Sequence, residues 1–215
     1  MKIFYFEFLK LRKKSRGWIG PILVFVLIMT AFPLTVEFLN EDLDQAFFSV
    51  LWIALMLVMM LATEDIFLED YNDGSLEQLA LKNQSLALIL GTKIFIYWML
   101  IGVPISFIGS FYGFGITRSF DLGLNILPIL LVTSYIFLNV FSFGNALSLT
   151  KGSVLGTLIT MPLVLPLLVV LGKVVISINI GLNYFGFLVL LLGILSIIMV
   201  VIPLIISFII RAHLE

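Results

Sequence analysis

The chain has 215 residues, 61% hydrophobic and 12% charged, with one histidine and no cysteine, and its mean hydropathy is +1.21. No soluble domain of this length could hide so much apolar surface in one core, so the bilayer must solvate most of it. The absence of cysteine excludes disulfides and thiolate chemistry, and the lone His213 excludes a histidine-cluster metal site within the chain. The formal net charge of -1 says little, because in such a chain the placement of charges carries the signal.

Residues Met1 to Arg16 place Phe4, Phe8 and Leu11 at helical spacing, with Lys10, Arg12, Lys13, Lys14 and Arg16 clustered around and after them. That pattern predicts a short interfacial helix over 1–16, lying in the headgroup layer. A secretory signal peptide fits poorly, because the apolar run that follows has full spanning length and lacks a small-residue cleavage site.

Six runs are long and apolar enough to span: Trp18–Phe38, Phe47–Thr63, Leu86–Phe114, Leu122–Leu147, Val154–Ile178 and Tyr184–Ile210. The fold class expected is therefore all-α, a polytopic membrane protein forming a single six-helix permease domain over 1–215. Pro33, Pro104, Pro128, Pro162, Pro166 and Pro203 fall inside these runs. Each removes a backbone donor and is expected to bend its helix, and ordinary packing is their plainest use.

Lysine and arginine set the orientation. With the N-terminus in the cytoplasm, the inside holds Lys2, Lys10, Arg12, Lys13, Lys14, Arg16, Lys82, Lys93, Lys151 and Arg211, and the outside only Arg118 and Lys173. Both termini and the 64–84 loop are then cytoplasmic, and the acidic 39–46 loop faces out, with Glu37 at its interface. Gly109-x-x-x-Gly113 and Gly152-x-x-x-Gly156 predict close helix approach, most simply within one chain.

The long polar segment is Glu64 to Gln84. Before Lys82 it holds Glu64, Asp65, Glu69, Asp70, Asp73 and Glu77 and no base. Asp73-Gly74 is a turn signal. Ser75-Leu76-Glu77-Gln78 fits a capping box, with the Ser75 hydroxyl accepting from the Gln78 N–H. A short helix should follow, apolar on Leu76, Leu79 and Ala80 and polar on Glu77, Gln78 and Lys82. Upstream, Ile66, Phe67 and Asp70 continue the helical period of the second span. The expectation is a helix–turn–helix elbow on the cytoplasmic face. One account makes it a re-entry device held in water by its charges. The sharper account makes it a docking element for a cytoplasmic protein, since anionic headgroups would repel so many carboxylates.

Phe67-x-x-Asp70-x-x-Asp73-Gly74-Ser75-Leu76-Glu77-Gln78-Leu79 resembles the cytoplasmic loop motif of the cytochrome c maturation B family (CcmB, haem exporter protein B), permeases of the ABC-transporter class. The likeness extends through Phe32-Pro33-Leu34, Trp52, Lys93, Trp98-Met99, Gly102-x-Pro104, Lys151-Gly152, Pro162-Leu163 and Pro166-Leu167-Leu168. Family members often carry Arg after the glutamate matching Glu64, whereas this chain has Asp65.

The resemblance implies a six-helix permease in the bacterial inner membrane, paired as a homodimer. It implies that Phe67, Asp70, Asp73, Gly74, Ser75, Leu76, Glu77, Gln78 and Leu79 receive a separate, CcmA-like ABC ATPase subunit that binds ATP and Mg. It further implies a CcmC-like haem-handling membrane protein and a small CcmD-like membrane subunit as partners. The complex would export haem or release a haem-loaded periplasmic chaperone.

The chain's own chemistry is sparse. Gly172-Lys173 continues into Val174 inside an apolar span, so it is not a phosphate loop, and ATP hydrolysis must reside in another chain. Met56, Met59 and Met60 cluster in the second span but read as core filler. No haem ligand is assigned to this chain, and a partner is expected to hold the iron. Arg118 and Lys173 could pair with an anionic group such as a propionate, though a surface Arg and a snorkelling Lys explain them as simply. Nucleic acid is not expected as a partner. Two other classes stay open: a permease of this architecture that exports lipid or peptide, and an intramembrane enzyme. The enzyme would need convergent ionisable groups at membrane depth, and the spans hold almost none.

Overall fold

In hydrocarbon a backbone must satisfy its own hydrogen bonds, so apolar runs of this length can only close on themselves as helices. The computed structural model describes Leu9 and residues 15–36, 43–81, 85–118, 120–150, 153–179 and 184–214. Helices α1 (Ser15–Val36) and α2 (Leu43–Thr63) are followed by two short helices, α3 (Leu68–Asn72) and α4 (Ser75–Ala80). Helix α5 (Leu86–Tyr97) passes through a π-turn (Trp98–Gly102) into α6 (Val103–Thr117). Then come α7 (Phe120–Leu147), α8 (Ser153–Asn179) and α9 (Phe185–Leu214). Six segments are long and apolar enough to cross a membrane, and the described residues contain no strand. This is an all-α, multi-pass membrane protein. Apart from Leu9 and from Ser15 and Arg16, which open α1, the interfacial helix expected over 1–16 lies outside the described residues, as do the acids Glu41 and Asp42 of the 39–46 loop.

Helix α7 is the axle. In its most apolar stretch 72% is buried, against 17% for α9 and 22% for α1, and α2, α5, α6, α8 and α9 all pack on it. Phe25, Phe47, Leu51, Ile129 and Phe137 are among the fully enclosed side chains of the core. Leu27, Leu158, Val169 and Phe208 point outward, where in water they would be a liability and in lipid they are solvated.

Among the described glycines the tightest backbone approach is at the crossing of α7 and α8. A Cβ on Gly144 of α7 would come within 2.6 Å of the Gly156 carbonyl oxygen of α8. Gly156 therefore works within the chain, as its motif suggests. Its partner is Gly144 rather than a second copy of the motif, and Gly152 lies outside the described residues. Gly109 is buried between Phe25, Leu51 and Leu130, at 3.2–3.4 Å from where its Cβ would be.

The prolines behave unequally. Helix assignments run unbroken through Pro21, Pro33, Pro128, Pro162, Pro166 and Pro203. Only ahead of Pro104 does the period change, to the π-turn. The missing N–H of Pro104 leaves a carbonyl one turn earlier without its usual donor, and a wider turn is one way to absorb that. The Ser106 hydroxyl donates to the Gly102 carbonyl at 2.7 Å. Trp98, swung into the wide turn, donates from Nε1 to the Ser134 hydroxyl (3.0 Å) and the Leu131 carbonyl (3.2 Å) of α7.

Candidate functional site

The 64–81 segment leaves α2 through a turn and then forms α3 and α4. Asn145, on α7, roots it: its side-chain amide donates to the Thr63 carbonyl at 2.8 Å, capping the end of α2. A cavity of about 290 Å³ lies beside this root, between Glu64, Asp65, Phe67 and Leu68 on one side and Asn145, Ser148 and Leu149 on the other.

The bend between α3 and α4 is built differently from the expected capping box. Gly74 occupies the left-handed region (φ 73°) and is itself the residue preceding the helix, so Ser75 falls one place too late to cap it. The Asp73 carboxylate instead accepts from the Ser75 N–H at 2.9 Å. The Ser75 hydroxyl turns back to donate to the Asp70 carbonyl at 3.2 Å. Gln78 N–H reaches the Gly74 carbonyl, not the Ser75 side chain. Glycine at the bend moves the helix start by one residue, because only glycine takes that φ at no steric cost.

Burial then divides the nine residues expected to receive a partner. Phe67, Asp70 and Leu76 are each 2% exposed or less, facing the bundle. Leu79 is half-buried against the same core. Asp73, Glu77 and Gln78 are exposed, as are Glu64, Asp65 and Glu69, and Gly74 and Ser75 sit at the bend between. A protein arriving at this end would meet the carboxylates, while Phe67, Asp70 and Leu76 hold the shape beneath them. The predicted apolar side of α4, on Leu76, Leu79 and Ala80, is the side that packs. Lys82 lies outside the described residues.

Asp70 has a specific partner. The Lys93 ammonium, two turns into α5, donates to its carboxylate, and both side chains are almost wholly enclosed. The Phe67 ring lies 5.9 Å from the same nitrogen, within cation–π range. Lys93, counted in the sequence among the cations of the inner side, is thus buried in an ion pair. A lysine inside an apolar helix needs a counter-charge or it pays for desolvation, and that demand was the available signal for this pair. Asn145 left none, since a neutral amide in a helix names no partner.

Arg118 and Lys173 are both exposed, at the opposite end of the bundle. Arg118 terminates α6 with a left-handed φ of 54°, while Lys173 lies on α8, and these two helices share no extensive packing. The fold does not join the two cations into one site. Met59 is fully buried and Met56 nearly so, in keeping with core filling. Nearby at that end, Tyr184 donates to the Asn125 side chain at 2.9 Å, tying α9 to α7.

A second cavity, of about 540 Å³, opens laterally between α5 and α9 on the half of the bundle that carries the elbow. Its floor is where Gly91 meets Pro203, 3.4 Å from where a Gly91 Cβ would be. Tyr135 of α7 lines it from behind.

Comparison with known proteins places these features. The family model described as "CcmB protein" matches residues 2–213. The "Heme exporter protein B" of Haemophilus influenzae is 28% identical over 176 residues, 81% of this chain and 80% of that protein. That of Pseudomonas aeruginosa is 28% identical over 156 residues, covering 70% and 68%. That of Paracoccus denitrificans is 27% identical over 172 residues, covering 79% of each. With six spans, the polar elbow and a family match over nearly its whole length, the chain belongs to the CcmB protein family.

Proposed function

We propose that this chain is the permease subunit of an ABC-type complex acting in haem export for cytochrome c maturation. On this reading the 1–215 chain is one permease domain that hydrolyses no nucleotide itself. A separate ABC ATPase subunit docks on the elbow, and its ATP-driven closure is passed to the spans. The printed name of the relatives, heme exporter protein B, supplies the cargo class. A haem-handling membrane protein, a small membrane subunit and a second copy of this chain complete the assembly.

The observation that carries the reading is the two-sided construction of the elbow. Its outer side offers Asp73, Glu77 and Gln78 to a partner. Its inner side is bolted to α5 by Asp70–Lys93 and to α7 by way of Asn145 and the end of α2. A push on the outer side is thus delivered to the second, third and fourth spans as a rigid displacement rather than lost in a slack loop. The excess of lysine and arginine at the elbow's end of the chain supports a cytoplasmic elbow and cytoplasmic termini in a bacterial inner membrane.

The test is co-purification of the ATPase subunit with the full-length chain from membranes. Asp73→Lys reverses the charge of the outer side and Gly74→Val forces a β-branched residue into left-handed backbone. Both are expected to lose the ATPase while still inserting. Undiminished capture by both variants would overturn the lever.

A further inference from the structure

The third span is one run of sequence but two bodies in the fold. Its far half, α6, is locked. It packs extensively on α7 and also against α1 and α2, and the Ser110 hydroxyl donates to the Gly123 carbonyl of α7 at 2.6 Å. Its elbow-side half, α5, packs chiefly on α9 and only lightly on α7. Between the halves stands the π-turn of Trp98–Gly102. We propose that this π-turn is a hinge, about which α5 swings across the lateral cleft while α6 stays fixed. The buried Asp70–Lys93 clasp, and with it the elbow, travels with α5. The motion belongs to the chain alone; on the lever reading above, it says which half of the span the push displaces.

The ladder of backbone hydrogen bonds is what makes a helix resist bending. At a π-turn followed by proline that ladder is already interrupted, since Pro104 brings no N–H, so bending there breaks little. Side chains pin the pivot itself. Trp98 donates from Nε1 to Ser134 and Leu131 on α7. The Ser106 hydroxyl, bound to the Gly102 carbonyl, also lies 3.4 Å from that of Ser134. The rings of Phe95, Trp98 and Tyr135 gather at the same level, with centroids 5.1–6.1 Å apart. A Cβ on Gly102 would fall on the Trp98 indole, so the turn closes in this way only on glycine.

Away from the pivot α5 has room. Leu88 and Gly91 border the cleft of about 540 Å³, opposite Met199, Val200 and Leu204 of α9. The contact at its floor sets Gly91 against the ring of Pro203. That is a flat bearing, with no side chain on α5 to catch. One half of the span is thus held on several sides, and the other is held at its pivot, at its bearing and by the elbow.

The chain has no cysteine, so an introduced thiol pair reads one distance. Leu88→Cys with Leu204→Cys places a thiol on each exposed side of the cleft. Phe114→Cys with Phe120→Cys is the control in the locked half, where those rings stand 5.9 Å apart. The full chain in lipid nanodiscs is oxidised with copper phenanthroline, and disulfide formation is timed by mass spectrometry. Both pairs are expected to close. Pro104→Ala restores an N–H at the turn and should slow the cleft pair about fivefold, the worth of one backbone hydrogen bond. Met99→Gly loosens the turn and should quicken it about threefold. Neither substitution removes a fully buried side chain, so both variants are expected to fold. The control pair should keep its rate in both. An unchanged cleft-pair rate in either variant, or an equal change in the control, would overturn the hinge. So would a cleft pair that stays reduced while both thiols react with maleimide. No ATPase is present in this assay, so a failed hinge leaves the docking reading standing, and a failed capture of the ATPase leaves the hinge standing.

Discussion

Lys93 donates to the carboxylate of Asp70, a residue 23 positions earlier, across the junction between the polar elbow and the third span. The two ends of this ion pair belong to the charged elbow and to an apolar span, and both side chains are enclosed by protein. Its burial makes it a clasp rather than a surface contact.

Removing one partner leaves an enclosed charge, so Lys93→Met or Asp70→Leu alone should cost about 3–5 kcal/mol. The double variant should recover most of that loss, because a well-packed apolar pair of similar size is close to neutral in such a place. Thermal unfolding in detergent checks the stability. ATPase capture by the double variant then separates the need for the clasp from the need for a folded chain.

Asn145→Leu removes the donor that caps Thr63. The Thr63 carbonyl keeps its second donor, the Ile66 N–H at 3.1 Å, so the lost hydrogen bond should cost about 0.5–1.5 kcal/mol. The effect should be local: amide hydrogen exchange should quicken across residues 64–67 while the centre of α7 stays protected.

Gly144→Leu and Gly156→Leu should prevent the α7–α8 crossing from closing, seen as loss of monodisperse protein on size exclusion. Gly172 has nothing within 4 Å of where its Cβ would be. Gly172→Ala should therefore be neutral or stabilise by about 0.5–1 kcal/mol through helix propensity.

Trp98→Phe keeps the aromatic stack and loses only the donor to Ser134 and Leu131. A cost of about 1 kcal/mol is expected. Combined with Ser134→Ala, a double-mutant cycle should show coupling between the two positions, and additivity would deny the bond.

Fold class was legible because the bilayer simplifies the problem. Apolar runs of spanning length have one regular way to satisfy their backbone, so six spans could be counted from composition. The elbow was legible for the same reason in reverse: residues 64–81 are too charged for lipid, and Leu76, Leu79 and Ala80 mark the side that packs. The capping box was misplaced by one residue, since Gly74 could start the helix as readily as Ser75 and sequence alone does not rank them.

The sequence by itself determined that this chain lives in a membrane, that its polar mass is gathered at one bend, and that Gly156 marks a close approach of helices. Only the tertiary structure decided that Asp70 looks inward to Lys93 while Asp73 looks out, that Gly156 meets Gly144, and that α5 and α9 leave a cleft between them. Burial in lipid is a property of single segments and is written in composition. Partnership between segments far apart in the chain depends on how helices rotate and tilt against one another, and in an apolar solvent almost every face of a span is an acceptable one until packing chooses.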